Sequence, residues 1–243
     1  MIYFTVMINA KRISLLLLII FSGIMTQAQS LTELVNKNVA ALGGADKLKD
    51  LKTQYAEGTM EVQGMSFPFK KWVVQDKSIR IEFSVQGFNN IQVFSGTEGW
   101  VQMPIMGKPG AETMDAATAK VMSSQLDLTG DFYHYNEKGN QLELQGMEMV
   151  NGAQLAKVKI VTRAGNTTLC YVDPATGNVL KTLNKVEIEG QTMDLITDIS
   201  NFLKTADGFT YGSTILQDPM GVKITLAKVE NNAPIDESLF KKP

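Results

Sequence analysis

The chain has 243 residues, 44% of them hydrophobic, 20% charged and 8% aromatic, which is the make-up of a globular domain with a large core and excludes a disordered or collagenous chain. Its 23 basic and 25 acidic side chains leave a net charge of -2, so no surplus of positive charge exists to neutralise nucleic-acid phosphates. A single histidine, His134, and a single cysteine, Cys170, exclude a Cys/His zinc site and any internal disulfide.

Lys11 and Arg12 precede an apolar run from Ile13 to Met25, and Thr26-Gln27-Ala28 then offers a small residue before a cleavage point. Residues 1–28 read as a secretory signal peptide, with Met7 the expected true start. The run would cover only about 20 Å of a hydrocarbon core roughly 30 Å thick, so it is too short to anchor the chain. No Cys follows the leader to carry a lipid, and its removal takes away Lys11 and Arg12 but no carboxylate, leaving a net charge of about -4. A soluble exported protein is expected, with residues 29–243 as one domain.

Ser30-Leu31-Thr32-Glu33 has the pattern of a capping box and opens a predicted helix. Leu31, Leu34, Val35, Asn38 and Leu42 then fall on one helical face, Gly43-Gly44 ends it, and residues 45–51 resume a shorter helix carrying Leu48 and Leu51. From Thr53 the period becomes two. Ile79, Ile81, Phe83 and Val85 alternate with Ser78, Arg80, Glu82 and Ser84, and further strands are predicted over 54–63, 67–75, 90–95, 99–103, 141–145, 155–162, 168–173, 178–189, 192–200, 210–217 and 222–230. Gln63-Gly64, Gln86-Gly87, Asn151-Gly152, Glu189-Gly190 and similar pairs separate them at hairpin spacing. Residues 111–126 return to a helical period through Met114, Ala117, Val121 and Met122. An antiparallel meander with these helices must cover one apolar face, so the predicted fold is α+β: an incomplete antiparallel β-barrel with an N-terminal helix and an inserted helical segment on its concave side.

No nucleophile elbow, phosphate loop, H-E-x-x-H or dinucleotide fingerprint occurs. His134, in Asp131-Phe132-Tyr133-His134-Tyr135, reads as a packing or surface residue, and Cys170 as a small core residue of a strand. Glu187/Glu189 and Asp194/Asp198 lie at even spacing on predicted strands and read as solvated faces. Methionine stands out, with 13 residues, of which Met60, Met65, Met103, Met106, Met114, Met122, Met147, Met149 and Met193 fall in or beside strands and the inserted helix. Unbranched thioethers fit core filling and equally a cavity for acyl chains of varying length. The segment Trp100-Val101-Gln102-Met103-Pro104-Ile105-Met106 places apolar groups beside Gly107 and Pro109, where a mouth could open.

Several segments resemble the LolA/LolB-like periplasmic lipoprotein carriers and the related outer membrane lipoprotein-sorting proteins. The resemblance rests on Ala41-Leu42-Gly43-Gly44 after the helix, Glu57-Gly58-Thr59-Met60-Glu61-Val62-Gln63-Gly64-Met65, Arg80-Ile81-Glu82, and Phe94-Ser95-Gly96-Thr97-Glu98-Gly99-Trp100. It continues in Lys157-Val158-Lys159-Ile160 and Tyr171-Val172-Asp173-Pro174-Ala175-Thr176-Gly177-Asn178-Val179-Leu180. It implies a periplasmic carrier that holds acyl chains of lipoproteins or lipids in an apolar cavity, needs no cofactor, and exchanges cargo with inner- and outer-membrane lipoprotein-handling proteins. Arg80 is the nearest candidate for the strand-borne arginine that contacts the helical lid in those carriers, although its neighbours differ from theirs.

The expected lining is Met60, Val62, Phe67, Phe69, Ile79, Ile81, Phe83, Ile91 and Val93 from the strands, with Trp100, Met103 and Met106 beyond them; alternation shows which residues of one strand share a face, not which face is concave. Neither catalytic nor metal-ligating residues are expected, and a monomer is. Two other readings stand beside this one: an envelope-stress sensor or interaction module on the same fold, which predicts an exposed patch instead of a cavity, and a hydrolase with a carboxylate site at Asp173 or Asp194.

Overall fold

The computed structural model describes residues 30–188 and 191–243; the expected leader and the Glu189-Gly190 turn lie outside the described residues. Two helices open the chain, α1 (Leu31–Leu42) and α2 (Ala45–Lys49). Six strands follow: β1 (Thr53–Val62), β2 (Met65–Val74), β3 (Ser78–Val85), β4 (Phe88–Ser95), β5 (Glu98–Met103) and β6 (Lys108–Thr113). Helix α3 (Ala116–Ser123) and a run of turns lead into β7 (Gln141–Val150), β8 (Ala153–Val161), β9 (Thr167–Val172), β10 (Val179–Ile188), β11 (Gln191–Lys204), β12 (Thr210–Asp218) and β13 (Val222–Asn231). A 3-10 turn, Glu237–Phe240, is the last element.

The strands form one 13-stranded antiparallel sheet, unclosed and curled, in the order β6-β5-β4-β3-β2-β1-β13-β12-β11-β10-β9-β8-β7. Two meanders are therefore joined by pairing the first strand with the last. The turns Gln63-Gly64, Gln86-Gly87 and Asn151-Gly152 carry positive φ at both residues, the two-residue geometry whose twist matches the strands they join. At Gly58, where β1 meets a bulge in its pairing with β13, a Cβ would lie 1.9 Å from the Thr225 carbonyl oxygen, so only glycine fits.

Edge strands β6 and β7 are consecutive in the chain, and the segment between them crosses one face of the whole sheet. Met114 and Met122 pack on Val73, Ile79 and Phe94 of one half. Leu128 reaches the middle, beside Leu48, Leu51 and Phe209. Phe132 lies in the cluster of Val158, Ile160 and Cys170 on the other half. The strap is pinned to the β2–β3 turn, where the Gln75 side chain donates to Asp127 (3.1 Å) and accepts from the Leu128 N–H (2.7 Å). Lys138 closes the turns by donating to Asp127, Thr129 and the Gly130 carbonyl.

Ser30 caps α1 by accepting the Glu33 N–H at 3.1 Å, while the Glu33 carboxylate pairs with Lys37 instead of returning to Ser30, so half of the expected capping box forms. Leu34 is fully buried, with Leu31 and Val35 beside it. Asn38, on the same face, donates to the Gly177 carbonyl at 2.8 Å, and Lys37 donates to the Pro174 carbonyl at 3.0 Å. Gly177 approaches so closely that a Cβ would be 2.4 Å from the Lys37 carbonyl oxygen. The predicted helix over 111–126 is shorter: 108–113 is the edge strand β6, and Asp115 caps α3 by accepting the Thr118 N–H. Strand pairing with β5 overrides the helical period at the start of that segment.

Candidate functional site

Strand register assigns the two faces. Ile79 packs under α3, and its register partners are Val73 and Phe94; two residues along, Ile81 pairs with Lys71 and Gln92, and Phe83 with Phe69 and Asn90. Through β2 the same face continues to β1, where Phe69 is opposite Gly58 and Phe67 opposite Met60, and then to β13, where Met60 is opposite Ile224 and Val62 opposite Val222. Directly paired residues project to one side of a sheet. Met60, Val62, Phe67, Phe69, Ile79, Ile81 and Phe83 thus share the inner face, the side crossed by the strap. Met103, buried, follows Val101 of that face along β5.

Ile91, Val93 and Trp100 are on the opposite face. Val93 pairs with Arg80 and Trp100, and Ile91 with Glu82, so these three belong to the polar phase of β3. They pack instead against the C-terminal tail, with Phe240, Trp72 and Leu239. The register of the β3–β4 hairpin, set by its two-residue turn, decides this placement. Met106 is 69% exposed in the 3-10 turn Pro104–Met106, outside the sheet. Arg80 faces the tail as well: its guanidinium donates to the Leu239 carbonyl at 2.6 Å, pairs with Glu82 and lies over Trp100, while the Trp100 indole donates to the Phe240 carbonyl. Arg80 makes its contacts with the tail, not with the inserted helix.

Helices cover the inner face unevenly. The main sheet contacts of α3 are with β3 and β4, and those of α1 with β7 and β12. Met60, Val62, Phe67 and Phe83, nearer the hairpin ends of β1 to β3, stay half-buried. Alternate strands run in opposite directions, so the β1–β2, β3–β4 and β12–β13 turns and the Pro104–Met106 turn all sit at one end of the sheet. This end carries exposed Met65, Phe88, Met106 and Met220. The open apolar face and its apolar rim form one continuous surface.

A small cavity of about 40 Å3 lies beneath the helices, between Leu42, Leu48, Leu51, Leu128, Phe209 and Val229. Ligand pockets run to several hundred Å3, so this space suits water and not a chain. The larger apolar resource is the uncovered face.

One inner-face residue escaped the sequence reading. Lys71 is half-buried opposite Ala56 and Ile81, and its ammonium donates to Gln125, just beyond α3, at 3.1 Å. Burial pushes its pKa down to about 8. The available signal was a cation in the apolar phase of Phe67, Phe69 and Val73.

The remaining polar candidates each have a local partner or are buried in the core. His134 is about half exposed and bonds Glu137 through Nδ1 at 2.7 Å. Cys170 is buried against Val158 and Phe132, and burial raises its thiol pKa far above the reactive range. The Asp173 carboxylate accepts from the Ala175 N–H and the Thr176 hydroxyl within its turn, and Asp194 pairs with Lys185 on the outer face. Among the described residues no group of three or more His, Cys, Asp or Glu could hold a metal ion, and no helix is long and apolar enough to cross a membrane.

No family sequence model matches the chain, and no curated protein matches it in sequence. Solved structures do match. A LolA superfamily protein from Nitrosomonas europaea superposes with a TM-score of 0.55 at 11% identity, over 84% of this chain and 96% of that one. A domain from Vibrio parahaemolyticus assigned to outer membrane lipoprotein sorting gives 0.54 at 13% identity, over 86% and 95%. A DUF1329 family protein from Desulfovibrio piger gives 0.52 at 11%, over 87% and 97%. The chain shares its overall fold with these solved structures.

Proposed function

We propose that the chain is an exported carrier that holds acyl chains of lipoproteins or lipids against the inner face of its sheet. The observation that carries this reading is the row of half-buried apolar side chains, Met60, Val62, Phe67 and Phe83, left uncovered by the helices on a LolA-like fold and ending at an apolar rim. Burial of each methylene contributes about 0.8 kcal/mol, so a chain lying along this face needs no specific polar contact to be retained. The exposed methionines adapt to chains of differing shape. Cleavage of residues 1–28 would release the domain into the periplasm as a monomer, to receive cargo at the inner membrane and surrender it at the outer one.

Native mass spectrometry of the mature protein, purified from the periplasm without detergent, tests the proposal. A co-purifying acyl-containing adduct is the expected result. An empty protein that also fails to keep an acylated peptide from aggregating would sink it and favour a partner-binding module.

A further inference from the structure

The inner-face positions of β1 are Gln54, Ala56, Gly58, Met60 and Val62, and those of β2 to β4 and β13 are apolar or neutral in the same way, with one exception. Lys71 is the one charged side chain on the inner face of these strands among the described residues. Its neighbour Lys70 is placed on the other face, opposite Glu57 and Glu82. Lys71 has no such company. Its register partners are Ala56 and Ile81, and Gln125 is its one polar partner among the described residues, occupying one of three N–H groups. A cation kept among apolar side chains without a carboxylate is unfavourable, and the depressed pKa expresses that cost.

The geometry supplies the missing counter-charge and its tail together. From Lys71 to Met65 the strand runs six residues, about 20 Å at the usual rise, passing Phe69 and Phe67 on the same face. Half the hydrocarbon thickness of a bilayer, roughly 15 Å, is what a single acyl chain spans. A chain anchored at Lys71 therefore runs past Phe69 and Ile81 and ends beside Phe67, Phe83 and Met60, about 5 Å short of Met65 at the rim.

We propose that Lys71 is the head-group site for a single-chain anionic amphiphile, which binds head inward with its acidic oxygens on the Lys71 ammonium and its chain running out towards the rim. The inference rests on the acyl-binding reading above. It differs in consequence: a lipoprotein must keep its peptide outside, whereas a fatty acid or an alkyl phosphate can bring its head to the strap. Carboxylate and phosphate share the required chemistry, an anionic oxygen acceptor for a charge-assisted hydrogen bond.

Dodecanoate, dodecyl phosphate and dodecanol, each kept monomeric in solution, are titrated calorimetrically into the mature protein and into Lys71→Gln and Lys71→Arg. At least one of the acids binds roughly 10- to 100-fold more tightly than the alcohol, as a charge-assisted bond in an apolar setting predicts. The tighter acid identifies the head group. Lys71→Gln abolishes the preference of the acids over the alcohol, and Lys71→Arg keeps it. Equal binding of acid and alcohol, or a preference that survives Lys71→Gln, overturns the inference while leaving acyl binding intact. Failure of all three compounds to bind the wild type overturns both.

Discussion

Replacing Lys71 by Met removes a half-buried charge and retains most of the side chain's length, so the variant is more stable than the wild type at neutral pH. Lys71 titrates near 8 in the folded protein against an ordinary value of 10.5. The difference corresponds to about 3 kcal/mol at 1.36 kcal/mol per pH unit. Methionine forfeits the bond to Gln125, worth about 1 kcal/mol, and partial exposure of the lysine reduces the penalty further, so the net gain is about 1–2 kcal/mol. The pH dependence has a definite sign. Between pH 8 and 10.5 the unfolded chain holds the Lys71 proton and the folded one does not, so wild-type stability rises with pH there relative to the variant. Urea denaturation of both proteins at several pH values from 6.5 to 10.5 measures the gap. It should be full below the folded pKa and shrink as pH rises towards the unfolded one. Groups that titrate alike in both proteins cancel in the comparison. A variant less stable than wild type at pH 7, or a gap independent of pH, would show that Lys71 is not held as an unpaired cation and would refute the reasoning.

Asn38→Ala leaves the Gly177 carbonyl without its buried donor and should cost about 1–3 kcal/mol, read as a lower urea midpoint with an unchanged m-value. Gly58→Ala drives a methyl group into the Thr225 carbonyl and should separate β1 from β13, the pairing that joins the two meanders; loss of cooperative thermal unfolding by circular dichroism is the expected result, and a melting temperature within a degree or two of wild type would count against the close approach. Met60→Asp on the inner face should weaken dodecanol binding at least tenfold, the consequence of about 1.4 kcal/mol or more of lost apolar contact, while Thr59→Asp on the outer face leaves it unchanged. Equal effects of the two substitutions would displace the binding surface from the inner face.

Much of the architecture was legible because local chemistry carries it. Period-two alternation in Ser78 to Val85, the Gln-Gly and Asn-Gly turns, and the Gly43-Gly44 stop of α1 act within a few residues, and the structure contains each of them. The apolar phase of β1 to β3 was readable for the same reason, because one strand's side chains alternate whatever surrounds it. Alternation is silent, however, about the register between strands. Ile91 and Val93 have the same apolar character as Ile79 and Ile81, and only the pairing of Arg80 with Val93 turns them to the other side, where Phe240 and Trp72 cover them.

Asn38 could be placed on the packing face of α1, but its partner, the Gly177 carbonyl, lies 139 residues away. Residues 111–113 looked helical by period until the edge of β5 offered backbone partners, and β1 found β13 across nearly the whole chain. Loop closure at such separations depends on the total energy of the assembled sheet, which no short window contains. The sequence alone thus determined the repertoire: α+β, antiparallel, with an apolar phase rich in methionine. Tertiary structure decided which apolar residues meet, left the β1–β3 end of the inner face open, and set a single lysine upon it, because faces and neighbours are properties of register and of the crossing strap, and both are long-range.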